Sequence, residues 1–249
     1  MSPPYNFSDE VSRNIDGLAK RGDLARRSVE WIKDTAPHKY SYNFTWMGRP
    51  IIQYPQDIVA MQELIWLIKP DLIVETGIAH GGSLVFSASM LELNAACGGP
   101  TDAEVLGIDI DIRAHNRAAI EAHPMSKRIS MIQGSSIEPA IIDEVRARAQ
   151  GKRNVLVCLD SNHTHDHVLA ELEGYGTLTS VGSYCVVFDT IVDDLPAELF
   201  PDRPWGPGNN PKTAVREFLK THAEFEIDKR IDHKLLISVA VDGYLKRVR

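Results

Sequence analysis

The sequence predicts an α/β fold in which a mostly parallel sheet, covered by helices on both faces, is closed by one antiparallel hairpin. Two observations carry this. From residue 71 onward, apolar runs of strand length alternate with runs of helical pattern, and such alternation implies right-handed crossovers between parallel strands. The first apolar run then enters Glu75, a turn holding Gly77, Gly81 and Gly82, and an apolar helical run from Leu84. A strand, a glycine turn and a helix in that order form the ligand-binding mouth of a parallel sheet.

The elements follow in order. Residues 1 to 70 read as an N-terminal helical and aromatic extension, with helices at 24 to 34 and 57 to 68. Between them lies an aromatic stretch holding Tyr40, Tyr42, Phe44, Trp46 and Tyr54. Aromatics gathered in this way pack a cap against a core or against a neighbouring subunit, so a homo-oligomer is expected. Residues 71 to 249 form the main domain. After the first strand come a helix at 83 to 93, a strand at 104 to 109, a helix at 113 to 122 and a strand at 129 to 133. A helix at 139 to 149, a strand at 154 to 159, a helix at 165 to 173 and a strand at 183 to 188 complete the alternation. The segment from 190 to 211, rich in Pro, Gly and Asp, has the length of a lid or binding loop. A helix at 212 to 221 follows, then two strands, 225 to 229 and 234 to 241, joined by a polar turn around Asp232.

Composition bounds the function. The 249 residues, 43% hydrophobic and 24% charged, suit one large domain with an extension. A net charge of -7 excludes a broad nucleic-acid surface, which needs clustered Lys and Arg. The three cysteines, Cys97, Cys158 and Cys185, lack C-x-x-C spacing, and two lie in apolar strand runs, as in a reducing, cytoplasmic protein. The first nine residues show no basic, apolar leader pattern, and no apolar run reaches membrane-spanning length. No membrane partner is expected.

The glycine turn departs from the dinucleotide fingerprint. Glu75 stands where a pyrophosphate would be repelled, so the expected ligand carries hydroxyls or an amine. Asp109, at the tip of the second strand, is placed to accept hydrogen bonds from both ribose hydroxyls. The alternative is a turn that only packs a helix on a strand. Glu75-x-Gly77-x-x-x-Gly81 together with Asp109 resembles the first two motifs of the class I S-adenosylmethionine (SAM) methyltransferases. That resemblance implies a Rossmann-like seven-stranded sheet in the order 3-2-1-4-5-7-6, and a turn running close to the amino acid end of SAM. Glu75, Gly77, His80, Gly81 and Ser83 become candidate cofactor contacts, although His80 can equally cap the next helix.

The fourth strand ends at Asp160 and the fifth at Asp189. Neighbouring strand ends converge on one crevice, and two carboxylates there repel unless a cation or a proton lies between them. Magnesium suits oxygen ligands and can also hold a substrate hydroxyl. The stretches 75 to 83, 107 to 111, 160 to 163 and 186 to 194 together resemble the cephalosporin hydroxylase (CmcI-like) and rhamnosyl O-methyltransferase group, over roughly residues 40 to 241. The resemblance implies Asp160 as first metal ligand and cofactor neighbour, and His163 as general base. It also implies Ser135 and Ser136 as the adenine-contacting turn. One departure is Phe188-Asp189-Thr190, where relatives tend to carry an acidic pair. Asp189 and Thr190 are then the remaining metal-ligand candidates.

The expected function is SAM-dependent, magnesium-dependent O-methylation of a small hydroxylated acceptor, such as a glycoside or another secondary metabolite. His163 takes the hydroxyl proton and the oxygen attacks the sulfonium methyl in line. Trp205, with Pro204 and Pro207, is expected either to wall the acceptor or to pack the lid. His165 and His167 read as a solvated helix start. Two other classes are weighed. A non-catalytic SAM-binding accessory protein would tolerate loss of His163. A non-haem iron oxygenase would use two histidines and a carboxylate, but on a β-helix that this alternation contradicts.

Overall fold

The computed structural model describes residues 6 to 249. Residues 1 to 5, part of the stretch read for a leader, lie outside the described residues. The N-terminal part comprises α1 (Phe7–Ala19), α2 (Gly22–Thr35), a short hairpin of β1 (Phe44–Trp46) and β2 (Arg49–Ile51), and α3 (Pro55–Ile68). Then β3 (Leu72–Thr76), α4 (Gly82–Ala96), β4 (Glu104–Asp109), α5 (Ala114–Glu121) and β5 (Ile129–Gln133) alternate. They are followed by α6 (Pro139–Ala149), β6 (Val155–Leu159), α7 (His165–Tyr175) and β7 (Tyr184–Val187). After a long loop come α8 (Pro211–Phe218), β8 (Phe225–Ile227), α9 (Lys229–Leu235) and β9 (Tyr244–Arg247).

Seven strands form one sheet in the order β5-β4-β3-β6-β7-β9-β8. Only β9 runs antiparallel to its neighbours. Counted from β3, this is the expected 3-2-1-4-5-7-6. Every residue of β3 and β6 is buried, as in central strands covered on both faces. Alternate residues feed two cores. Ile73, Val105 and Leu156 pack with Ile65 of α3, Leu84 and Leu91 of α4 and Ile120 of α5. Leu72, Leu106 and Val157 pack with Val145 of α6, Leu172 of α7 and Phe218 of α8. Cys158 and Cys185 are buried free thiols within these cores, while Cys97 is exposed. Among the described residues, no helix is long and apolar enough to cross a membrane.

The boundary read at residue 70 divides the chain but not the core, because Ala60, Met61, Leu64 and Ile65 of α3 bury their side chains in the first of these clusters. The aromatic stretch packs internally. Tyr40 lies edge-on to Trp31 at 4.8 Å and to Phe44 at 5.1 Å, and Trp46 meets Phe86 of α4 at 4.9 Å. Trp46 also donates its indole N–H to Ser89 (3.0 Å), which fixes the β1–β2 hairpin on α4. Helix α1, not expected from the sequence, has no buried residue. It is held at the surface by Arg230 bonding to Asp16 and Ser12.

The closing hairpin differs from expectation. The strand at Phe225–Ile227 forms, but residues 229 to 235 are helical and the final strand is Tyr244–Arg247. Two causes are visible. Asp228 accepts the Arg230 N–H (3.1 Å) and caps α9, starting a helix where a turn was read. Downstream, the fully buried Asp57 carboxylate of α3 accepts from Ser238 Oγ (2.6 Å), Val239 N–H (3.0 Å) and Tyr244 Oη (2.9 Å). Segment 237 to 241 thus satisfies its backbone through side chains and through turn contacts such as Ile191 N–H to Val239 O (3.0 Å), rather than through a strand partner. Burial pushes the Asp57 carboxyl up to about 6, against the pull of those donors.

The segment after β7 is ordered as two short 3₁₀ turns, Thr190–Asp194 and Ala197–Leu199. Asp193 accepts from Gly208 N–H (3.0 Å), Asn210 Nδ2 (2.8 Å) and Arg216 (2.8 Å), while the buried Lys212 pairs with Asp194 and Asp242.

Replacing Asp57 with Ala strands three donors, two of them on fully buried residues. The expected loss is about 3 kcal/mol in a urea unfolding titration. A loss below about 1 kcal/mol would show that the segment is held by something else.

Candidate active site

The site is built at the carboxyl end of the sheet, where β3 and β6 touch. Gly77 follows β3 with φ at 88°, and its N–H bonds the Ile108 carbonyl (2.8 Å). A Cβ at this position would lie 2.0 Å from the Asp160 carbonyl oxygen, so only glycine lets the two strand tips pass. Gly81 donates to Ile78 O (2.7 Å) and ends the turn at the start of α4. A Cβ on Gly82 would meet the Pro50 carbonyl oxygen at 2.1 Å. The N-terminal hairpin therefore rests directly on the turn.

Asp109 works on this turn from the next strand. Its Oδ2 accepts from Ile78 N–H (2.8 Å) and Ala79 N–H (3.2 Å), and its Oδ1 from Asp111 N–H (2.9 Å). Oδ1 keeps acceptor capacity for a ligand hydroxyl, whereas both lone pairs of Oδ2 are taken by the turn. From the other side, Arg49 Nε bonds the His80 carbonyl (3.0 Å) and Arg49 reaches Asn116 Oδ1 (3.1 Å), while Asn116 Nδ2 donates to Ala79 O (2.9 Å). His80 is thereby fixed through its backbone. Sequence reasoning missed Arg49 and Asn116, because neither sits in a motif and only the folded contact joins them. Glu75 is buried, accepts the Ser83 hydroxyl and has its carboxyl pushed up to about 7 by burial, Ser83 pulling the other way.

Two cavities flank Gly77. One, of about 310 Å³, is lined by residues including His80, Ser83, His163 and Asp189. The other, of about 270 Å³, is lined by residues including Asp109, Ser135, Ser136 and His167. Both reach Gly77, Ala79, Asp160 and Ser161, so they are two halves of one cleft. Of the predicted cofactor contacts, Gly77, His80, Ser83, Asp109, Ser135 and Ser136 line it, whereas Glu75 lies buried behind Ser83 and Gly81 is not part of the lining. His167, read from the sequence as solvated, lines the second half. Its spacing of four from Glu171, which sets both on one face of α7, was the available signal.

Asp160, His163 and Asp189 each offer one ligating atom, all within 4.8 Å of one another. His163 Nε2 lies 3.0 Å from Asp189 Oδ2, and the Trp205 ring stands edge-on to His163 at 4.8 Å. Asp189 takes a left-handed φ of 54°, uncommon outside glycine and tolerated best by Asn and Asp. Burial, then the charges of Asp189 and Glu75, hold the Asp160 carboxyl well above the usual carboxylate range. At this separation two unit charges repel by about 4 kcal/mol at an effective dielectric of 20, more than a hydrogen bond returns. The donor set therefore fits a divalent cation, which would reverse that repulsion.

Thr190 corrects the expected ligand set. Its hydroxyl donates to Val241 O (2.6 Å), with Val239 O at 3.3 Å, and the side chain is fully buried. It faces the 239 to 241 segment, because the 3₁₀ turn that begins at residue 190 rotates it away from the cleft. His163 instead completes the cluster.

Against known proteins, the family described as Rhamnosyl O-methyltransferase/CmcI matches residues 38–248. The rhamnosyl O-methyltransferase of Mycobacterium leprae (strain TN) is 30% identical over 217 residues, which span 84% of this chain and 88% of the relative. Among solved structures, CmcI with Mg-SAM superposes with a TM-score of 0.57 at 18% identity, covering 84% of this chain and 78% of that one. The O-methyltransferase TomG from Streptomyces achromogenes, in complex with SAM, gives 0.52 at 17% identity over 80% and 79%. These structures share the fold, and the sequence match extends over most of both chains. The chain belongs to the rhamnosyl O-methyltransferase/CmcI family.

Proposed function

We propose that this protein is a SAM-dependent O-methyltransferase that methylates a hydroxyl of a sugar or another secondary metabolite, with magnesium held by Asp160 and Asp189. The observation that carries this reading is the meeting of Asp160, His163 and Asp189 beside the Gly77 turn, in a cleft that Asp109 also lines and behind which Glu75 lies bonded to Ser83. Family membership supports the methyl transfer. The rhamnosyl relatives support a sugar acceptor, and CmcI with Mg-SAM supports the metal.

SAM, when bound, supplies a sulfonium methyl and leaves as a neutral thioether, and a divalent cation supplies charge that lowers the pKa of a nearby hydroxyl. The remaining work belongs to the chain. Glu75 offers a carboxylate to the cofactor's ammonium and Asp109 Oδ1 offers an acceptor to its ribose. Ser135 and Ser136 border its adenine, and Gly77 and Gly81 let backbone approach its amino acid end. His163 Nε2–H donates to Asp189 Oδ2 at 3.0 Å, which orients the ring, offsets its new positive charge and leaves Nδ1 as the nitrogen that takes the acceptor's hydroxyl proton. The deprotonated oxygen would then be the nucleophile for a bound sulfonium methyl, with the neutral thioether as leaving group. Trp205 beside His163 limits water access and offers an aromatic face to the acceptor.

An iron oxygenase is not favoured, because the cluster holds one histidine and two carboxylates on a doubly wound sheet. A cytoplasmic setting accords with three free thiols. A homo-oligomer accords with Val59 and Trp66, seven residues apart on α3 and 52% and 48% exposed.

Replacing His163 with Ala is expected to lower kcat by about a hundredfold to ten-thousandfold while calorimetric SAM affinity stays within about threefold. Unchanged turnover would remove His163 as the base, whereas SAM binding by wild type with no turnover of any hydroxylated acceptor would favour the accessory-protein reading. Asp160→Ala should abolish stimulation of methyl transfer by magnesium, and retained stimulation would move the ligand elsewhere.

Glu75 sets a pH dependence. Below about 7 its carboxyl is protonated and has no charge to offer the ammonium. SAM binding, measured without metal, should therefore tighten as pH rises to about 7 and level off above it. Glu75→Gln should flatten that slope; a slope that survives would assign it to another group.

A further inference from the structure

His167 has no part in the chemistry above, yet it lines the half of the cleft bounded by Asp109, Ile110, Ser135, Ser136 and Asn162. All its ring contacts run through one nitrogen. Nε2 lies 3.0 Å from Ser136 Oγ, 3.2 Å from Ser161 Oγ and 3.5 Å from Glu171 Oε1. Glu171 is fully buried, and its Oε1 accepts the Ser161 hydroxyl at 2.6 Å. Tyr175 closes the network by donating its phenol to the Ser136 carbonyl.

The proton inventory of this network decides the state of the ring. A serine hydroxyl carries one proton. Ser161 gives its proton to Glu171, so towards His167 the Ser161 oxygen can only accept. Nε2 must then carry a hydrogen, shared between the two serine oxygens and drawn to the buried Glu171 carboxylate. In the neutral imidazole the other nitrogen is a bare acceptor. That nitrogen, Nδ1, has no hydrogen-bond partner within the described chain, and its residue lines the cavity. Ile110, 71% exposed although strongly apolar, lines the same cavity and presents a flat apolar wall beside it.

We propose that His167 reads the base of the cofactor, with Nδ1 accepting a hydrogen from the exocyclic amine of adenine and with Ser161 and Glu171 holding the ring in the tautomer that can do so. This rests on the methyltransferase reading of the cleft and adds a residue that selects the nucleobase. A base with a carbonyl oxygen in place of that amine sets a lone pair against a lone pair and is disfavoured, as when a site built to pair a donor meets an analogue lacking it.

The test is calorimetric titration of the full chain with S-adenosylhomocysteine and with S-inosylhomocysteine, in which a carbonyl replaces the amine. Wild type is expected to prefer the adenosyl compound by roughly tenfold or more. In His167→Ala the preference should fall to near unity, while the inosyl compound binds about as it does to wild type, which also reports that the variant is folded. Equal binding by wild type, or a preference that persists in the variant, overturns the proposal. Should the variant fail to fold, wild type still decides with an analogue whose exocyclic amine is doubly methylated and has no hydrogen to donate. Undiminished affinity for that analogue overturns the proposal. Absence of any binding of S-adenosylhomocysteine by wild type refutes the methyltransferase reading itself, whereas binding without base preference refutes only the role of His167.

Discussion

The Asp160 carbonyl oxygen occupies the space where a side chain at residue 77 would be, and the architecture of the cleft depends on that contact. Because the tips of β3 and β6 meet there, the turn that follows β3 is thrown outward over the edge of the sheet. Asp109 and the pair Arg49 and Asn116 then hold its backbone from opposite sides. The turn is preorganised rather than free, so a ligand's binding energy is not used up in ordering it. The same contact brings Asp160 to the seam between the two halves of the cleft. One atom-scale constraint thus sets where a nucleoside can lie and where the reacting groups stand.

Around this seam the chain concentrates carboxylates. Asp160 and Asp189 line the cleft, and Glu75 and Asp57 lie behind it, their charges acting on Asp160. Burial of acids so close together costs stability unless protons or cations neutralise them. An ammonium, a sulfonium and a divalent metal are the charges that the proposed reaction brings. The site therefore trades stability in the free protein for affinity towards cationic partners, a pattern common where burial and like charge gather in a cleft.

A second layer of contacts supports the first. Asp57 gathers Ser238, Val239 and Tyr244, and Thr190 ties the residue after Asp189 to Val239 and Val241. The segment that replaces the expected strand is thereby a brace, pressing the turn after β7 into the conformation that gives Asp189 its left-handed backbone. Departure from regular pairing at residues 237 to 241 and the geometry of the proposed metal site are one feature seen from two sides.

The alternation of strands and helices, the glycine turn, the acid at the tip of β4 and the facing ends of β6 and β7 were legible in the sequence, because each is written in local patterns, whereas the order of strands across the sheet came from the family resemblance. Strand and helix periods, a glycine where φ is positive and a carboxylate at a strand end need only a few neighbouring residues to be read. The tail was legible only in part. Residues 234 to 241 have strand-like composition, yet the first two end the helix that Asp228 caps, and a buried carboxylate nearly two hundred residues away holds Ser238 and Val239 out of a strand. Likewise Thr190 stands next to Asp189 in the chain yet points elsewhere. Arg49, Asn116 and His167 acquire meaning only from groups that folding brings beside them. The sequence by itself determined the alternating elements from β3 to β7, since propensity and burial period are local. The direction in which each polar side chain is aimed was decided only in the tertiary structure, since a buried donor or acceptor must find a partner and that partner is set by packing.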